Sequence, residues 1–284
     1  MAKAESDNMS FLEHLEVLRW HLIRASLAIL LMAAIAFLSK EILFDVILFG
    51  PKQPDFFTYR LFCSISREIS NTEFFCLSEM PFKILNTKMA GQVSTHIWVA
   101  LIGGFILAFP YVLYEFWRFI SPGLKAGERN YSRWVMFFGG VLFMMGVLFG
   151  YYLIVPLSLQ FLGSYTISEE VNNLIDLNSY LSTVSTVTLA TGIIFELPVV
   201  IYFLARTGLV TASFLRKYRR HSIVLILVLS AVITPPDVAS QILVSFPILI
   251  LYEISIRIAA RIEKRRLKEE NLPQKKNWYD LTCW

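Results

Sequence analysis

Long apolar blocks separated by polar stretches organise this chain. They fall at about 22–38, 97–117, 134–155, 184–205, 222–234 and 241–256. At about 1.5 Å per residue, the second, third and fourth blocks are each long enough to cross a hydrocarbon core of about 30 Å. The first block is shorter, but Ser10 and Glu13 form a capping-box pattern upstream, which predicts one helix from Ser10 to Leu38. Its first turns are amphipathic, with Phe11, Leu15, Leu18 and Leu22 at helical spacing and Glu13, Glu16 and Trp20 on another face.

The last two blocks differ. They flank Thr234-Pro235-Pro236-Asp237, which must turn because proline restricts both itself and the residue before it. A helix over 222–234 spans only about 20 Å. Two arrangements compete: a buried re-entrant hairpin, or two short crossing helices under a locally thinned bilayer. Basic residues on both sides of the hairpin favour crossing helices. Pro110, Pro156 and Pro247 predict kinks that would curve a bundle. The expectation is an all-α membrane protein with six transmembrane helices, the last two short.

Composition agrees. Of 284 residues, 56% are hydrophobic and 17% charged, with a mean hydropathy of +0.57. Soluble domains carry about 25% charged residues. A net charge of +4 is too small and too localised for nucleic-acid binding. The three cysteines have no zinc-type spacing, and no phosphate-binding loop occurs, so no metal, cofactor or enzymatic centre is expected. Ala34-Ile35-Ala36 has the small-residue form of a signal-peptide cleavage site, but the organised helix before it argues against processing.

Charge placement orients the spans. Lys and Arg number three up to Arg24, four in 118–133, five in 206–220 and eight in 257–284. The opposite side has six in the long 39–95 loop and none in 155–185 or 235–240. Short loops decide orientation, so both termini are expected in the cytoplasm. Cys63 and Cys76 then lie on the oxidising side, either as a disulfide or as two free thiols.

Several segments carry a family likeness. They are His14-Leu15-Glu16-Val17-Leu18-Arg19, Phe116-Trp117-Arg118-Phe119-Ile120-Ser121-Pro122-Gly123-Leu124 with Glu128-Arg129, Phe195-Glu196-Leu197-Pro198-Val199, and Thr234-Pro235-Pro236-Asp237 with Ser240-Gln241. In order and placement over residues 10–258 they resemble the TatC family of the twin-arginine translocase. The 39–95 loop matches least. The resemblance implies a concave, glove-like bundle in the bacterial inner membrane, with residues 1–258 as one membrane domain and 259–284 as a charged cytoplasmic tail. It also implies a receptor for twin-arginine signal peptides of folded cargo, working with TatA- and TatB-type single-span subunits and the proton-motive force. Self-association is left open.

Paired guanidinium groups are best held by carboxylates. Glu128 is the only carboxylate in a loop with four basic residues, where charge alone suggests a weak surface pair with Lys125 or Arg129. The resemblance makes Glu128 the principal arginine-binding residue, with Phe119 beside it. Arg19 is retained, but Val17 stands where the family often has Glu, and His21 where it often has a second Arg. Glu16 is one position early, so it either contributes by a small rotation or pairs with Arg19. Glu196 inside the fourth span is by default a functional candidate, and the resemblance directs it at a partner helix. Pro235 and Pro236 make the last turn, and Asp237 is a natural cap for the sixth helix. Glu253 reads as snorkelling to the interface, and the chain from Glu263 as solvated. A proton-coupled solute transporter using Glu196 is the competing reading, but the two halves show no internal repeat.

Overall fold

The structure, a computed structural model, describes residues 11–70, 82–120, 129–168, 173–234 and 238–270. Helix α1 spans Phe11–Leu38, almost the predicted range, and packs along α3 (Gly91–Ile120). A Cβ at Gly104 would strike the Ala33 backbone, so glycine lets the two helices close. Pro110 sits within α3 without ending it.

The third span begins as α4 (Arg129–Phe149), passes through a π-helical stretch at 150–154 and continues as α5 (Val155–Ser164). Pro156 explains the irregularity: its ring denies the Tyr152 carbonyl the usual helical donor. The Thr58 hydroxyl donates to that carbonyl instead. Tyr59 Oη adds a bond to the Pro156 carbonyl at 3.0 Å. Both residues belong to α2 (Phe57–Ser70), an amphipathic helix absent from the apolar-block reading.

The fourth span is broken in the same way, into α6 (Leu177–Phe195) and α7 (Leu197–Thr207), with Pro198 in the first turn of α7. Gly208, at φ 83°, closes α7 in the left-handed conformation. The short α8 (Ala212–Lys217) leads into α9 (Arg219–Ile233), which at 15 residues reaches about 22 Å.

The final helix, α10 (Val238–Glu270), runs 33 residues, so the last pair is unequal. Only α9 is short as expected; α10 carries a stretch long enough to cross a membrane, Ser240–Arg265, because its basic continuation stays helical and packed. Ala259 and Ile262 are buried, and Glu263 accepts from the Ala212 N–H at 3.1 Å, capping α8. Glu263 is therefore not part of a solvated tail. Glu253 likewise does more than snorkel, meeting Arg219 at 2.9 Å.

Among the described residues, five helical stretches are long and apolar enough to cross a membrane: Leu15–Leu38, Gly91–Ile120, Trp134–Ser164, Leu177–Thr207 and Ser240–Arg265. With the shorter α9 they form the six-helix bundle. The start of α1 and the ends of α3 and α10 mark one end, which we term the termini end, opposite the loop end.

One departure from an all-helical chain lies at the loop end. Strands β1 (Lys83–Leu85) and β2 (Leu174–Asp176) pair in parallel. Asp176 accepts from Thr87 Oγ1 at 2.6 Å and caps α6 through the Asn178 N–H. The Thr87 bond holds the Asp176 carboxyl below its ordinary range. The main core forms around Tyr180, Leu181 and Val184 of α6, and the Tyr180 hydroxyl donates to the Leu48 carbonyl at 2.9 Å.

Candidate functional site

At the termini end, α1 and α3 are joined by a polar clasp that sequence reasoning missed. Glu115, one turn before the end of α3, is 2% exposed. Its Oε2 lies 2.5 Å from His21 Nδ1, and its Oε1 accepts from the Tyr111 hydroxyl at 2.9 Å. A buried carboxylate needs such donors, because an unpaired one is expensive. The His21 ring also meets Phe119 edge-on, with centroids 6.2 Å apart. The signal was available: a carboxylate inside the apolar block 97–117, with Tyr111 four residues earlier on the same helix face.

His21 thus has a partner of its own where a second arginine was considered. Glu16 and Arg19 are exposed, and among the described residues neither has an ion-pair partner, so the Glu16–Arg19 alternative is not formed. Phe119 is half-buried at the end of α3, and the segment carrying Glu128 begins just after Ile120. Glu128, Pro235, Pro236, Asp237 and Cys76 lie outside the described residues. Cys63, in α2, is disulfide-bonded.

Glu196 stands at the junction of α6 and α7, 7% exposed. Among the described residues, neither carboxylate oxygen has a hydrogen-bond partner. It faces α4 at Gly139, where a Cβ would come within 3.2 Å of Oε2.

The sequence matches the family model described as Sec-independent protein translocase protein (TatC) over residues 13–247. The chain belongs to the TatC family. A TatC protein of a Blattabacterium species from Periplaneta americana is 41% identical over 93% of this chain and all of that protein. TatC of Aquifex aeolicus is 34% identical over 92% of this chain and 98% of its own length. A crystal structure of the twin-arginine translocase receptor TatC in DDM matches with a TM-score of 0.68 and 32% identity, covering 87% of this chain and 99% of that one. The protein is a multi-pass membrane subunit of the Tat translocase, a non-enzymatic family. That membership sets aside the solute-transporter reading.

Proposed function

We propose that this TatC-family subunit binds twin-arginine signal peptides at its termini end, for export of folded proteins driven by the proton-motive force. The observation that carries the reading is the clasp of His21, Glu115 and Tyr111. It fixes the start of α1 against the end of α3, so that exposed Glu16 and Arg19 share one end of the bundle with Phe119. The chain after Ile120 leads from that end to Glu128, whose carboxylate supplies the bidentate acceptor for an arginine pair. Basic residues concentrated at this end support a cytoplasmic location for both termini, in a bacterial inner membrane.

In this reading residues 1–258 act as one membrane unit and 259–284 as its charged cytoplasmic extension, whose first turns pack on the bundle as the end of α10. Single-span TatA- and TatB-type subunits supply the polar partner for Glu196. Pro235 and Pro236 hold the turn before α10, with Asp237 capping it, and Cys63 pairs with Cys76.

Photo-crosslinking of a twin-arginine signal peptide to the purified protein tests the central claim. Arginine-dependent crosslinks should be lost in Glu128→Ala; undiminished crosslinks in that variant would overturn the Glu128 assignment.

A further inference from the structure

A groove of about 620 Å³ opens between α4, α7 and α10. It follows α4 from Val135 to Met145 and α10 from Arg265 to Leu251, with Tyr202 of α7 among its walls. Tyr202 and two arginines apart, every lining side chain is apolar. Several of them are open to the surroundings, including Phe138 at 62% and Met145 at 54% exposed. Apolar surface of this kind needs an occupant or lipid against it.

Arg261 and Arg265 stand one helical turn apart on the same face of α10, both exposed and both at the termini end of the groove. Arg261 has no ion-pair partner among the described residues. At about 1.5 Å per residue, Arg261 lies about 34 Å along α10 from Val238, just past a hydrocarbon core of about 30 Å. Basic side chains beyond the apolar stretch of a span reach lipid phosphates. Planar guanidinium groups match phosphate oxygens two at a time.

We propose that this groove is a binding site for one anionic phospholipid. Its phosphate sits between Arg261 and Arg265, and an acyl chain lies against Phe138, Met145 and Ile258. Length and charge together point to the occupant. From Arg265 to Leu251 the groove covers about 21 Å, and from Val135 to Met145 about 15 Å. Those lengths fit an acyl chain of one leaflet, and the arginine pair at one end supplies the bidentate match for a single phosphate headgroup. The lipid is bound as a fixed part of the bundle, independently of signal-peptide recognition.

Native mass spectrometry of the full chain, purified in detergent and offered phosphatidylglycerol or phosphatidylcholine, provides the test. The wild-type protein should retain phosphatidylglycerol with a preference on the order of ten-fold. Arg261→Gln with Arg265→Gln should erase the headgroup preference, while Arg257→Gln, outside the groove, should preserve it. Ile258→Trp, which fills the groove, should lower retention of both lipids and covers the case in which the double variant fails to fold. Equal retention of the two lipids by the wild type, or a preference surviving in the double variant, would overturn the proposal. So would a photo-crosslinker at Ile258 that captures a protein segment instead of lipid in native membranes.

Discussion

Two carboxylates buried within the apolar spans, Glu115 and Glu196, have opposite surroundings. Glu115 accepts from His21 and Tyr111 and ties α1 to α3. Glu196 lies at a proline-induced break, faces a glycine, and finds no donor among the described residues. Both are nearly inaccessible, at 2% and 7% exposure. The same residue type in the same kind of block therefore does different physical work. Glu115 is a satisfied structural link, and Glu196 is an acceptor whose needs none of the described residues meets.

The sharpest way to break this contrast is to remove one partner of the satisfied group. His21→Ala leaves Glu115 buried with only Tyr111, and should reduce unfolding stability in detergent by about 3 kcal/mol. Adding Glu115→Ala to His21→Ala should recover part of that loss, with a coupling of about 1–3 kcal/mol in a double-mutant cycle. Additive losses would mean that the clasp is not a coupled unit.

Glu196→Gln removes no bond to the described residues, so its stability should stay within about 1 kcal/mol of the parent by the same unfolding measurement. A loss matching that of His21→Ala would show that Glu196 already has a strong partner.

Asp176, half-buried at the loop end, gives the smallest effect and a calibration outside the spans. Its carboxyl is held low, chiefly by the Thr87 bond. Its stabilising contribution is therefore complete above the ordinary aspartate range and lost as pH falls through the lowered folded value. Asp176→Asn should slightly lower the melting temperature at neutral pH. It should also flatten the acid limb of a melting-temperature profile against pH.

Much of the bundle was legible because hydropathy has one dominant meaning in lipid: a long apolar block must be a helix. The first helix was readable for that reason, and it ends at Leu38 as its apolar block does. Helix α2 was missed because it is amphipathic, and its value lies in Thr58 and Tyr59 meeting carbonyls far along the chain. The β1–β2 pair was missed because three-residue strands carry almost no periodic signal. Pro156 and Pro198 were readable as disturbances, yet only packing shows which donors answer them. At the candidate site, the motif residues were visible as a pattern. Glu115 was not, because a lone acid in an apolar block reveals its role only when His21 on another helix comes alongside.

The segment between α1 and α3 raises a matter of timing. Thr58 and Tyr59 find their acceptors 94 and 97 residues later, Thr87 meets Asp176 after 89, and Leu48 waits 132 residues for Tyr180. At synthesis rates of about 5–20 residues per second, these anchors are missing for on the order of ten seconds after their partners have been made. During that interval the segment has none of these later contacts to hold it. These anchors close only once the third and fourth spans have emerged.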